Sequence, residues 1–267
     1  MVQIDLEGTA VLITGGTKGI GLASALKFAE AGSSVYLTCK WGSAEEDDLF
    51  GEFSRIGAKK PVILKADVSV DEDTDLVMTE IGKREKKIDF FISNVGFAAK
   101  TDELSDYKKR SLFKTLEYST WPLISYTIKM KEAFGSYPRH IVGISSDGPD
   151  HFYTGYDFVA ASKALLEFFA KYLAARVFEE GSRVNVLRFG MVNTESFNAI
   201  FGKEFFTFLE KEGLPPETVL TPEPCGKAVF ALCCGFLDAM NGQIVTVDNG
   251  LPFRDNTMMR YLRSRTK

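Results

Sequence analysis

Tyr156 and Lys163 stand at the two ends of the stretch "YDFVAASK". If this stretch is helical, a spacing of seven residues makes two turns at about 3.6 residues per turn, so the phenol and the ammonium share one face. A phenol fixed there can donate a hydrogen bond to an oxygen that gains negative charge in a reaction, and donors aimed at such an oxygen contribute strongly to rate. Val159, between them, has no proton to give. Tyr153 is a second phenol, but it precedes the helix expected over about 156–178 and is the poorer candidate. A second chemical signature lies near the start of the chain, in "TGGTKGIG" from Thr14 to Gly21. Gly15, Gly19 and Gly21 let the backbone turn tightly against a pyrophosphate, with Thr17, Lys18 and Ile20 completing the turn. A helix that follows would aim its N–H groups at the anion. The bland alternative is a plain strand-to-helix connection. Here the turn follows the first apolar run and opens a helix, the context that nucleotide binding requires.

These groups must be placed by a regular framework. Short apolar runs alternate with helix-length segments: "AVLIT" (10–14), a helix near 19–31, "SVYLTC" (34–39), a charged segment at 43–57, "PVILKA" (61–66), a helix near 71–84 and "IDFFIS" (88–93). A long helical stretch over about 106–133, "RHIVGISS" (139–146), the helix carrying Lys163, "RVNVLRFG" (183–190) and "QIVTV" (243–247) complete the series. Nearly unbroken apolar strands between helices predict a parallel sheet covered on both faces. Right-handed crossovers make this an α/β, doubly wound, Rossmann-type fold, read as a single domain over 1–267. The segment 195–222, rich in Phe and broken by Gly and Pro-Pro, fits the pattern least and is expected to be a substrate lid insertion.

Composition bounds the partners. The chain has 267 residues, 45% apolar and 25% charged, with a net charge of −4, which gives no reason to expect nucleic acid or an anionic membrane. The apolar run "AVFALCCGFL" is too short to span a bilayer, and the first residues carry no signal pattern, so a cytoplasmic location is expected. Cys39, Cys225, Cys233 and Cys234 have no metal spacing and read as reduced, mostly buried apolar residues. With His140 and His151 as the only histidines, no metal site or Ser-His-Asp triad is expected.

The TGxxxGIG pattern resembles that of the short-chain dehydrogenase/reductase family, and further stretches match it in order. "ADV", with Asp67 and Val68, resembles the adenine-side pair. "SNVG", with Asn94 and Gly96, resembles the NNAG turn below the cofactor, Ser93 and Val95 being departures. "GISS" ends the fifth strand. "FGMVNT", with Gly190, Val192 and Thr194, resembles the loop that holds the nicotinamide amide, with Phe189 in place of proline. "GQIVTVDNG" matches the last strand. In most of the family a tyrosine stands four residues before the lysine. The lysine holds the nicotinamide ribose, and its charge lowers the tyrosine pKa. Here Val159 occupies that place, and Tyr156 is displaced by about 4.5 Å along the helix. The Tyr-x6-Lys spacing resembles the divergent enoyl-thioester reductases, including enoyl-acyl carrier protein reductases.

That resemblance implies an NAD(P)H-dependent reductase of a 2,3-enoyl thioester on an acyl carrier protein or CoA. Hydride goes to Cβ, two atoms beyond the reach needed for a ketone, so the donor to the thioester oxygen sits farther from the nicotinamide. Tyr156 and Lys163 are the candidate catalytic pair. Ser146, thirteen before Val159, is either a polar pocket residue or a plain strand-end serine. The family's helix-four asparagine has no clear equivalent. Lys40 follows the second strand with no acid there, and Lys18 supplies another cation, which favours NADPH over NADH. Phe197, Phe201, Phe205, Phe206 and Phe208 suit either an acyl chain or simple helix packing. The resemblance also implies a homodimer or homotetramer, with Leu165, Phe168, Phe169 and Tyr172 serving core or interface; the basic end "MMRYLRSRTK" is an oligomer contact or a frayed tail. Two other readings stay open: a carbonyl or alcohol oxidoreductase using Tyr153 or Tyr156, and a non-catalytic nucleotide-binding protein.

Overall fold

The computed structural model describes residues 4–40, 46–212, 214 and 218–265. Residues 41–45 in the charged segment, 213 and 215–217 in the Phe-rich segment and the last two residues of the basic end lie outside them. Seven parallel strands form one sheet in the order β3-β2-β1-β4-β5-β6-β7. They are β1 (Ala10–Thr14), β2 (Ser34–Cys39), β3 (Val62–Lys65), β4 (Phe90–Ser93), β5 (His140–Ser146), β6 (Arg183–Phe189) and β7 (Ile244–Val247). Alternation along the strands feeds two cores. Val11, Ile13 and Leu37 pack with Phe28 of α1 (Gly19–Glu30), Phe53 of α2 (Glu46–Arg55) and Val229 of α9 (Pro222–Cys233). Leu12, Tyr36 and Val186 face the other way, onto Ile81 of α3 (Asp71–Gly82), Tyr126 and Met130 of α5 (Trp121–Phe134) and Leu166 of α6 (Asp157–Val177). The order reverses between β1 and β4, and such a switch point opens a crevice at the carboxyl ends of the strands.

Two expectations are corrected, and two parts of the chain gain detail. The helical stretch at 106–133 is two helices, α4 (Lys109–Ser119) and α5, broken at Thr120 (φ −114°, ψ −53°). Pro122 is the cause: it has no N–H, and its ring would press on the carbonyl four residues back, so it is accommodated in the first turn of a new helix. Thr120 Oγ1 then donates to Ser162 O on α6 at 2.8 Å. Tyr156 is not inside α6 but caps it, with φ −109° and ψ 1°, its carbonyl accepting from Ala160 N at 2.8 Å. The segment 195–222 is mostly helical: α7 (Glu195–Phe201) and α8 (Glu204–Lys211) meet at Gly202, whose φ of +83° suits glycine. α9 went unread in the sequence. It crosses α1 so closely that a Cβ on Gly226 would sit 2.4 Å from Ala23 backbone atoms.

The chain closes with α10 (Leu251–Arg254) and α11 (Thr257–Ser264). Cys225 and Cys233 are buried, whereas Cys39 and Cys234 are half-buried. Phe168 and Tyr172 stay exposed on α6, their rings 4.7 Å apart. Among the described residues, no helix is long and apolar enough to cross a membrane.

Candidate active site

The glycine turn joins β1 to α1. Gly15 and Gly19 have φ of +62° and +53°, in the left-handed region. A Cβ on Gly21 would fall 2.4 Å from Gly15 O and 2.7 Å from Asn94 Nδ2, so this glycine permits helix and turn to touch. The first rung of the helix ladder runs from Leu22 N to Lys18 O, which leaves the preceding amides at the helix start directed outward. Asn94, after β4, braces the turn rather than facing it: its Nδ2 donates to Thr14 O and Gly15 O, both at 3.0 Å, and its backbone N donates to Thr14 Oγ1 at 3.0 Å.

One cavity of about 670 Å³ runs from this turn to α6 and is lined by every candidate catalytic and cofactor-binding residue except Gly21 and Asp67. Gly21 lies beneath the turn, and Asp67 reaches the cavity through Lys40. At the adenine-side end, Lys40 Nζ is ion-paired with Asp67 and donates to Tyr118 Oη at 2.6 Å. Tyr118 donates to Asp67 Oδ2 at 3.0 Å, and Ser69 donates to Oδ1 from both its backbone N and its hydroxyl. Burial disfavours both charges, yet these bonds outweigh it: Asp67 is held below the ordinary carboxylate range and Lys40 above the ordinary lysine range. Lys18 is likewise paired, with Glu195 at 3.0 Å. Sequence reasoning placed both lysines against a cofactor phosphate; the structure adds a carboxylate to each. Glu195, at the start of α7, and Tyr118, on α4, carried no signal of this in the sequence, because their partners are far away along the chain.

The loop Gly190–Thr194 lies over the turn. Thr194 caps α7, accepting from Phe197 N at 3.1 Å, and its methyl stands 3.4 Å from where a Cβ on Gly19 would be. Val192 bridges to Leu220. A Cβ on Gly190 would meet Asp248 Cβ at 2.8 Å, which ties this loop to the end of β7. Phe189, in place of the proline, is buried and lines the cavity.

At the opposite end, Lys163 Nζ donates to Ile144 O on β5 at 2.8 Å. Burial pulls its pKa down to about 8, against the attraction of Glu167. A Cβ on Gly96 would be 3.8 Å from this Nζ, an ordinary contact distance, so the Gly96 backbone lies beside the ammonium. Tyr156 Oη donates to Ser146 Oγ at 3.1 Å, and both residues line the cavity. Burial pushes the Tyr156 phenol up, and the bond to Ser146 offsets this only in part. The family pattern of a lysine that lowers the tyrosine pKa is therefore not what stands here. Tyr156 is a neutral donor. Tyr153 is engaged elsewhere, donating to Asp147 Oδ2 at 2.8 Å, and its ring meets that of Tyr156 edge-on at 6.1 Å. Val159 is buried on the cavity wall. Phe201 of α7 covers Tyr156 at 5.8 Å and packs on Phe197 at 4.9 Å; both line the cavity, whereas Phe205, Phe206 and Phe208 do not.

The set fits a dinucleotide: a glycine turn at a helix start, Gly96 in the cavity wall and a buried ammonium stand along one crevice. Comparison with known proteins agrees. A family model described as Enoyl-(Acyl carrier protein) reductase matches residues 15–252. The chain is 26% identical over 254 residues to the enoyl-(acyl-carrier-protein) reductase (NADH) FabI of Aquifex aeolicus (strain VF5), covering 92% of each. It is 26% identical over 253 residues to the 1-cyclohexenylcarbonyl-CoA reductase of Streptomyces collinus, covering 90% of this chain and 85% of that one. A short-chain dehydrogenase from Burkholderia cenocepacia J2315 in complex with NADP superposes with a TM-score of 0.79 at 21% identity, over 92% of this chain and 99% of that one. The chain belongs to the short-chain dehydrogenase/reductase family, in its enoyl-(acyl carrier protein) reductase group, and is an NAD(P)H-dependent oxidoreductase.

Proposed function

We propose that this protein reduces the 2,3 double bond of an enoyl thioester with NADPH. The observation that carries the reading is the position of Tyr156. Its hydroxyl lies on Ser146 at the α6 cap, while Val159 fills the wall where an ordinary family member has its phenol. The bound nicotinamide would supply hydride. The protein supplies the rest. The glycine turn and the α1 amides hold the pyrophosphate, and Lys163 binds the ribose hydroxyls with an ammonium kept inside the protein. Tyr156, neutral and backed by Ser146, donates to the thioester oxygen as charge moves onto it. Phe197 and Phe201 exclude water and pack an apolar acyl chain. The relative from Streptomyces collinus, named for a CoA substrate, and the one from Aquifex aeolicus, named for acyl carrier protein, both support a thioester.

The Ser146–Tyr156 bond also favours a second reading, a carbonyl reductase in which the two hydroxyls act on one ketone oxygen. NADPH oxidation with a short trans-2-enoyl-CoA set against a panel of ketones separates the two. A preference for ketones sinks the first reading.

The cofactor preference rests on Lys40 and Lys18, and on the absence of an acid at the end of β2, where NADH-type enzymes keep one. A 2′-phosphate would draw Lys40 from Asp67. Exchange of one charged partner for another reduces the gain, so Lys40→Ala should weaken NADPH binding by about tenfold and NADH binding by less than twofold. Fluorescence titration with both cofactors checks this; equal losses, or tighter NADH binding by the wild type, would overturn the preference.

The α7–α8 segment acts as the lid. Its start is tied to the glycine turn by Glu195–Lys18 and by Thr194, so cofactor and lid share contacts. Amide exchange over 195–212 should slow when NADPH and an enoyl thioester are added together. Unchanged exchange would show that no lid closes.

A further inference from the structure

A buried ion network stands directly behind the Tyr156–Lys163 site. Arg188 lies opposite Ser145 in the β5–β6 register, at the end of a strip that begins with the buried Val184 and Val186 and faces α6. Its Nε donates to Glu167 Oε1 at 3.0 Å and its Nη2 to Glu167 Oε2 at 2.6 Å. Ser145 Oγ also donates to Oε1, at 2.6 Å. The side chains of Glu167 and Arg188 are only 7% and 13% exposed. The third edge of the guanidinium, Nη1, is ion-paired with Asp150, whose side chain is 60% exposed in the loop between β5 and α6.

Each member neighbours a site residue. Ser145 precedes Ser146, Glu167 is one helical turn beyond Lys163, and Asp150 is in the loop that ends at Tyr156. A buried charge pair is a costly way to hold a core together, since apolar residues of similar volume do it as well. A planar fork with one edge left over does something that apolar packing cannot: it fixes a loop relative to a helix and two strands.

We infer that Arg188 is a positioning residue. Seated on Glu167, it anchors the 147–156 loop through Asp150 and so sets where Tyr156 stands relative to Lys163. The inference rests on the proposed role of Tyr156. Asp150→Asn tests it without disturbing the core, because the guanidinium keeps both bonds to Glu167. Asp150 itself stands mostly in water and the Arg188–Glu167 pair stays intact, so Tm should shift by less than about 3 °C. Misplacement of a donor by a fraction of an ångström is costly in rate. The variant should therefore lose about tenfold in kcat with the KM for NADPH unchanged, and Asp150→Glu should recover most of that loss. Arg188→Lys, whose ammonium lacks the planar fork that grips both oxygens of Glu167 while reaching Asp150, should show the same kcat loss together with a lower Tm. Hydrogen exchange gives a readout independent of turnover. The amides of Asp150, His151 and Tyr156, bonded to Asp147 O, Gly148 O and Tyr153 O, should exchange faster in Asp150→Asn while those of β5 and α6 do not change. Unchanged loop exchange overturns the anchor whatever the substrate proves to be. Faster exchange with kcat within twofold of the wild type overturns its role in positioning. A wild type inactive on enoyl thioesters refutes the proposed reaction, and the exchange data alone then decide whether the anchor exists.

Discussion

Tyr156→Phe should lower enoyl reduction by about 10²–10³-fold while leaving NADPH affinity within twofold, because it deletes one hydrogen-bond donor aimed at the reacting oxygen. The structure sharpens this expectation. Burial holds the phenol above its ordinary pKa, so near neutral pH it acts as a donor and not as a phenolate. The ring itself is seated between Tyr153 and Phe201, and a phenylalanine keeps both contacts. Loss of rate then reports the hydroxyl and not a collapsed pocket. Ser146→Ala removes the acceptor that orients this hydroxyl and should cost less, about tenfold. Tyr153→Phe is the control, since its hydroxyl is spent on Asp147. Steady-state rates for the three variants decide the matter. A Tyr153 variant that is dead beside a Tyr156 variant of full activity would require another donor and another geometry. If neither the variants nor the wild type turn over any enoyl thioester or ketone while NADPH still binds, the protein is a nucleotide binder and not a reductase of these substrates.

The framework was legible because periodicity is local. β1 through β7 and the glycine turn follow from short apolar runs and three glycines, each within ten residues of its signal. Part of what escaped was local but outweighed by a competing signal, and the rest was set by contacts distant in sequence. The break at Thr120 needed Pro122 to be weighed against an otherwise good helical pattern. α9 escaped because its apolar residues, with Cys225, Val229 and Leu232 buried, follow a proline-rich start that reads as loop. The partners of Lys18 and Lys40 lie 177 and 27 residues away, at Glu195 and Asp67. Helical spacing brought Tyr156 to the right end of α6, but its cap conformation and Ser146 determine where the hydroxyl points. Arg188 and Glu167 gave no sign at all, since a lone arginine on a strand and a lone glutamate on a helix most often face water.

Lys163→Met should lower kcat/KM by about 10²-fold and weaken NADPH binding by about tenfold, because a hydrogen bond from a charged donor is worth roughly 1.5–3 kcal/mol and the ammonium also orders the ribose. The pH profile gives the more specific test. Burial brings the Lys163 pKa to about 8, so the ammonium of the free enzyme is lost as the pH rises through 8. kcat/KM reports groups of the free enzyme and should fall on that alkaline limb, with Tyr156 contributing nothing there because its phenol is pushed the other way. The linkage has the opposite sign for stability. An unfolded lysine holds its proton to about pH 10.4, so between pH 8 and 10 the unfolded chain binds more protons at this position than the folded one, and this group alone makes stability rise with pH. A rate that falls above pH 8 while Tm holds or rises is thus deprotonation and not unfolding. Lys163→Met should retain its small residual activity with a flat profile from pH 7 to 9, and Tyr156→Phe should keep the limb of the wild type. A limb that persists in the Met variant would mean that another group titrates there and that the limb does not report Lys163.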